Sequence, residues 1–341
     1  MALCSNPDCK IEETGKCIEG FSILGDCPTY GKESDELATE VVDRTLSNEV
    51  TITQEQVILH NGDTLGSKDV DLILNKHGGK IIACVGPSNI GKTTLLASFY
   101  ELFSHGSMDE FIFGGSQTLF AYEEICHHSR AASQNIQPNT PRTTRQNQAS
   151  FYHIALNHKL NNTRVDLLLG DRAGEEYEAA IDNKEDCIGL YEVNRSDVLL
   201  LLVDGKALGD NKARHVAKNR ADSLIRAFKE DKLLSGNSKV IIVMTRYDLA
   251  FQEGNSDKAI AELDNLLAKV TLTLNGTNID ISTHIVAARP DGTEHVKVAY
   301  GIPELINIIV NTENHSTEYK SLNNCNTNNG LRSFQNLRSS Q

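Results

Sequence analysis

The chain has 341 residues, 39% of them hydrophobic and 23% charged, which suits a globular protein with room for one large domain or two ordinary ones. A net charge of −13, from 33 basic and 46 acidic residues, argues against a general nucleic-acid binder, which needs a basic footprint. The apolar run 198–203 is far too short to span a bilayer, and the first residues lack a basic stretch followed by an apolar core; the expectation is a cytoplasmic protein without membrane span or signal peptide.

Four zones follow one another along the chain. Residues 1–31 hold four of the eight cysteines, Cys4, Cys9, Cys17 and Cys27, among turn-forming glycines. The segment has too little apolar content to fold alone, and a tetrahedral Cys4 zinc site would supply the missing stability. The spacing lacks paired C-x2-C knuckles, so free thiols or disulfides stay open as alternatives. Residues 32–79 are acidic and mixed, and read as a linker with a short docking element over 51–59. Residues 80–312 alternate short apolar runs with helical segments, and residues 313–341, rich in Asn, Ser and Gln, read as a disordered tail.

Within 80–312, strands are expected over 80–85, 150–156, 164–169, 197–203, 239–244 and 283–286. Helices are expected over 92–103, 175–183, 211–230, 257–271 and 302–310. This alternation implies an α/β fold, a mostly parallel sheet with helices on both faces. Ligands of such sheets bind at the carboxyl ends of the strands, where each motif below falls. The stretch 104–148 reads as an insertion, with an expected helix over 119–129; it is long for an α/β connection. Cys126-His-His128 has metal-ligand residue types but shares one helix, and reads as ordinary surface or core.

Residues 86–93 read Gly-Pro-Ser-Asn-Ile-Gly-Lys-Thr between the first strand and the first helix. This is G-x-x-x-x-G-K-[ST] in the strand–turn–helix context that gives the pattern its meaning. A helix N-terminus presents unpaired N–H groups to an anion, and Gly86 and Gly91 let the backbone approach phosphate oxygens unobstructed. Ser88, Asn89, Ile90 and Thr94 complete the expected lining. Lys92 can reach the β- and γ-phosphates, and the Thr93 hydroxyl is placed to ligate Mg²⁺. Asp171-Arg-Ala-Gly174 follows the strand 164–169; Asp171 can hold Mg²⁺ through water, and the N–H of Gly174 can meet a γ-phosphate. In isolation these would be plain turn residues. Thr245-Arg-Tyr-Asp248 follows the strand 239–244 and is similar to the guanine-selecting [NT]-K-x-D pattern, with Arg246 in place of Lys. A carboxylate at Asp248 accepts from guanine N1–H and the N2 amino group; adenine offers no such pair of donors. The stem of Arg246 can stack on the purine. Ala288, in Val286-Ala-Ala-Arg289, would offer a backbone N–H to guanine O6.

Thr140-Pro-Arg-Thr-Thr144 precedes the second strand. A switch needs a threonine here to complete the Mg²⁺ shell and sense the γ-phosphate, and Thr143 and Thr144 are the candidates. Arg142 beside them can stabilise transition-state charge in cis, against the alternative of a solvated loop arginine. Glu175 follows Gly174 where many GTPases carry a glutamine. It can accept from water but cannot donate to the transferring group, so hydrolysis is expected to be slow without a partner; alternatively it favours the start of the helix.

The order and spacing of these pieces over 80–310 resemble the TRAFAC class of P-loop GTPases. The runs 113–119, 140–144 and 169–175 behind a Cys-rich N-terminus are similar to the bacterial double-GTPase type. That resemblance implies a GTP/GDP-binding, Mg²⁺-dependent GTPase of conflict or signalling clusters, paired with a second GTPase and a protein effector. Two other readings remain at this point, a GTP-binding scaffold without turnover and an ATPase that uses the same P-loop.

Overall fold

The computed structural model describes residues 60–104, 110–127, 148–234, 239–290 and 295–312, with the single residues Ile23, Asp26 and Met108. The chain divides into two units, Met1–Val57 and Ile58–Gln341, and the described architecture lies in the second. The expected zinc cysteines Cys4, Cys9, Cys17 and Cys27, the 51–59 element, Thr140, Arg142, Thr143, Thr144 and the 313–341 tail lie outside the described residues.

The elements run α1 (Ser67–His77), β1 (Lys80–Val85), α2 (Lys92–Ser104), β2 (Phe111–Gly115), α3 (Leu119–His127), β3 (Ser150–His158) and β4 (Arg164–Asp171). They continue with α4 (Gly174–Asp182), α5 (Lys184–Ile188), α6 (Tyr191–Asn194), β5 (Val198–Asp204), α7 (Gly205–Gly209), α8 (Arg214–Glu230) and β6 (Lys239–Thr245). The last four are α9 (Tyr247–Gln252), α10 (Ser256–Thr273), β7 (Asp280–Ile285) and α11 (Ile302–Asn311). The seven strands form one sheet in the order β2-β3-β4-β1-β5-β6-β7. β4, β1, β5, β6 and β7 pair in parallel, and β3 runs against both of its neighbours.

β1 is buried along its whole length, as a central strand covered on both faces must be. Alternate side chains feed two cores. Ile82, Cys84, Leu169, Leu200, Leu202 and Val243 pack under α2, α3 and α11. Ala83, Val85, Leu201, Val203, Ile242 and Met244 pack under α4, α8 and α10. Polar anchors fix the edges of this arrangement. Asp197 accepts from Ile81 N at 2.8 Å, and burial pushes its carboxyl up. Lys80 Nζ donates to Ile309 O (3.0 Å), Val310 O (2.7 Å) and Thr312 O, closing the carbonyl end of α11.

Several features depart from the sequence reading. β2, inside the expected insertion, is an added edge strand whose register shifts between Phe113 and Gly115, where Gly115 has φ +116°. Within 32–79, α1 docks on the sheet through Val70 and Ile73, which meet Ile81, Phe151 and Leu168, while Leu65 bridges to Phe151. Burying Val70 and Ile73 contributes on the order of 2 kcal/mol each. The expected helix 211–230 begins only at Arg214, because the Asp210 side chain accepts from Lys212 N (2.6 Å) and Ala213 N (2.9 Å) and holds a turn there. Among the described residues no helix is long and apolar enough to cross a membrane.

Candidate nucleotide-binding site

Strand register sets the site. Ala83 pairs with Gly170, Val85 with Leu201, Asp204 with Thr245 and Met244 with Ile285, so the carboxyl ends of β4, β1, β5, β6 and β7 share one edge. The loop 86–91 leaves β1 at that edge and enters α2. It turns through two left-handed positions, Asn89 (φ +60°) and Gly91 (φ +95°), a conformation glycine and asparagine adopt most readily. Ile90 is buried in the core beneath and holds the loop down. Lys92 arches back over the loop, its Nζ donating to Gly86 O and Pro87 O at 3.0 Å each. The hydroxyl oxygen of Ser88 is buried without a hydrogen-bond partner, a polar atom in a cradle suited to an anion.

The last residue of β4 is Asp171, which is 2% exposed. Its Oδ2 accepts from Thr93 Oγ1 at 3.1 Å. A hydroxyl and a carboxylate converging at the end of a phosphate loop are hard oxygen donors of the kind Mg²⁺ takes, so these residues fit that ion. Tyr152 beside them stays neutral, because burial and the Asp171 charge both push its hydroxyl up. Gly174 opens α4 with Glu175 and Glu176 in the first turn, where acidic side chains suit the helix dipole. Its backbone lies against the phosphate loop: a Cβ added there would sit 2.2 Å from Ser88 N.

The 245–248 segment reaches across to the same loop. Thr245 Oγ1 donates to Ile90 O at 2.9 Å. Arg246, in a left-handed conformation (φ +53°), donates from Nη2 to Asn89 O and from Nη1 to Asp204 Oδ2 at 3.1 Å. Its guanidinium is thus tied down at the tip of the phosphate loop. Asp248 is buried in the first turn of α9. The strand end after β7 joins this group, with Tyr247 N donating to Val286 O at 3.3 Å and Ala288 O accepting from Ala299 N at 3.1 Å.

The expected residues Gly86, Ser88, Asn89, Ile90, Gly91, Lys92, Thr93, Thr94, Asp171, Gly174, Glu175, Thr245, Arg246, Asp248 and Ala288 therefore all stand on the strand-end edge of the sheet. Two residues were not singled out from sequence. Asp204 ends β5 and holds Arg246; only its place opposite Thr245 in the sheet reveals it. Arg172, the second residue of Asp171-Arg-Ala-Gly174, is buried among carboxylates, which no local pattern announces. Cys126 is buried with its Sγ toward Ala97 O, and among the described residues no group of His, Cys, Asp and Glu could hold a metal ion by itself.

A parallel sheet with a phosphate loop between its central strand and the following helix defines a P-loop nucleotide-binding protein of the α/β class. Residues 80–309 match the model of the family described as Double-GTPase 2 (DO-GTPase2), more than half of the chain, and the chain belongs to that family. Membership supports a GTP-binding GTPase domain. Among solved structures, the chain is similar to Era from Aquifex aeolicus bound to GDP.AlF4-, at 16% identity and a TM-score of 0.34. That match covers 68% of this chain and spans only 56% of the Era chain. It is also similar to the chloroplast translocon components atToc33 and psToc159, for which dimerization is described as important for GTPase activity. Here identity is 13%, the TM-score is 0.42, and coverage is 73% of this chain and 88% of that one. No curated protein matches.

Proposed function

We propose that the chain is a switch that binds GTP with Mg²⁺ and hydrolyses it. The observation that carries this reading is the bonding of the 245–248 segment to the phosphate loop, through Thr245 to Ile90 O and Arg246 to Asn89 O. One ligand with a phosphate tail and a guanine base would span both. Lys92, now on two loop carbonyls, would turn to the β- and γ-phosphates, and the amides of 88–94 would hold the phosphate oxygens. Thr93 and Asp171 would hold Mg²⁺, which when bound supplies positive charge at the β- and γ-oxygens. Gly174 N–H would meet the γ-phosphate, and Thr143 or Thr144 would sense it from the segment before β3. Arg142 would stabilise transition-state charge in cis. Asp248 would accept from the guanine edge, with Arg246 over the ring and Ala288 N–H at O6. A protein effector or a second GTPase would read the state, in a bacterial conflict or signalling system. The cysteines Cys4, Cys9, Cys17 and Cys27 would bind structural zinc, and metal analysis without zinc would remove that assignment.

A second reading, a GTP-binding scaffold without turnover, is favoured by Glu175 standing where a glutamine would orient water. One experiment separates the readings. GTP, GDP and ATP are titrated with and without Mg²⁺, and phosphate release is then followed over many turnovers. The expected result is GTP and GDP binding at least about 100-fold tighter than ATP, with phosphate exceeding one equivalent. Preference for ATP would overturn the assignment; no more than one equivalent would make the chain a scaffold.

A further inference from the structure

Among the described residues, Arg172, inside the phosphate-sensing turn, is the arginine with the most side-chain hydrogen bonds. Arg172 Nε and Nη2 donate to the two oxygens of Glu192 at 2.8 and 3.1 Å, a parallel fork. Nη2 also donates to Gly189 O at 2.8 Å, and Nη1 donates to Glu176 at 2.5 Å. Glu192 is fully buried and takes a further bond from Tyr177 OH at 3.0 Å. Burial would lower Arg172, but the Glu192 charge and hydrogen bond reverse this and keep it cationic. Gly170 makes room for the arrangement: a Cβ there would stand 3.0 Å from Glu192 Cβ. On its other side the turn meets the phosphate loop at Ser88.

A buried ion pair is poor evidence of net stability, since an apolar pair of similar volume often does as well. What it supplies is direction. We infer that Glu192 is a positioning residue: through Arg172 it holds the 171–174 turn so that Asp171 faces Thr93 and the Gly174 backbone lies against the phosphate loop. The inference rests on the GTPase reading and names the side chain that sets the geometry of its γ-phosphate sensor. The nucleotide state at Gly174 is thereby tied to α6 as well as to α4.

The test uses the full chain, wild type beside Glu192→Gln and the double variant Arg172→Met/Glu192→Leu. The double change removes both charges of the fully buried pair should the single variant fail to fold, and leaves only the part-buried Glu176 without its arginine. Melting temperature, single-turnover hydrolysis, and affinities for GDP and for a non-hydrolysable GTP analogue are measured. The expected result is hydrolysis lower by on the order of tenfold and the analogue's affinity advantage over GDP reduced several-fold, with GDP affinity itself within about threefold of wild type. The affinity ratio reads the effect even in a chain that binds without turnover. Variants with the wild-type rate and ratio, however far their melting temperature falls, would overturn the inference. A wild type that takes no guanine nucleotide would overturn the functional reading beneath it.

Discussion

Lys92 spans the loop it serves, donating to the carbonyls of Gly86 and Pro87. A ligand's phosphates would offer charged acceptors in place of two neutral ones, which makes stronger hydrogen bonds. Lys92→Met is therefore expected to weaken binding of a fluorescent GTP analogue by at least tenfold, about 1.4 kcal/mol, while costing the fold less than about 1.5 kcal/mol. Equal affinity would contradict the assignment. Gly174→Ala has a steric argument, since its Cβ would meet Ser88 N at 2.2 Å and backbone must shift. Hydrolysis should fall at least about tenfold; an unchanged rate in a phosphate-release assay would refute the role given to Gly174. These residues were legible in the sequence because amides at a helix N-terminus demand a local pattern of glycines. Glu192 was not, because it reaches Arg172 from 20 positions away on a four-residue helix without apolar periodicity.

At the scale of elements, the β3–β4 pair carries a buried polar network that ties down the loop from β2 to α3. His153 Nδ1 accepts from Gln117 N at 3.0 Å, so its Nε2 donates to Asp166 Oδ1 at 2.8 Å. Arg164 donates to both oxygens of Asp166 at 2.8 Å, and the Thr118 hydroxyl accepts from His153 N at 2.9 Å. Burial would raise the Asp166 carboxyl, but the bonds from His153 and Arg164 overcome this and hold it at about 2. A carboxyl lowered on folding stabilises the fold fully above its unfolded value near 4, and that share is lost as pH falls from about 4 toward 2. Its size is roughly 2 kcal/mol. Urea unfolding of Asp166→Asn should show lower stability at pH 7 and a flatter loss below pH 4, and an acid slope equal to wild type would contradict this. Lys80→Met, which opens the carbonyl end of α11, should cost about 1–3 kcal/mol in the same assay. The buried parallel strands could be read from sequence because both their faces are apolar. β7 was read late and short, since it is half-exposed and carries Ser282, Thr283 and His284. β2 hid behind Gly114 and Gly115, and α1 behind a glycine N-cap and only two buried anchors.

For the molecule as a whole, the sheet brings its strand ends to one edge, and a ligand there would cross from β4 and β1 to β6 and β7. A ligand that binds only the folded chain stabilises it by about 2.7 kcal/mol at 100 times its dissociation constant. GTP with Mg²⁺ should therefore raise the melting temperature by several degrees, at about 2–4 °C per kcal/mol, and ATP should leave it in place. An equal shift from both would point to phosphate binding without base selection. The claim on which the account rests is that Asp248 chooses the base while the 86–93 loop holds the phosphates. Its most direct test is competition between GTP and xanthosine triphosphate for Asp248→Asn. An asparagine amide can donate to the xanthine 2-oxygen but leaves a guanine N–H unmatched. The account predicts that the variant prefers the xanthosine nucleotide while wild type prefers GTP; a variant that keeps the wild-type preference would contradict it.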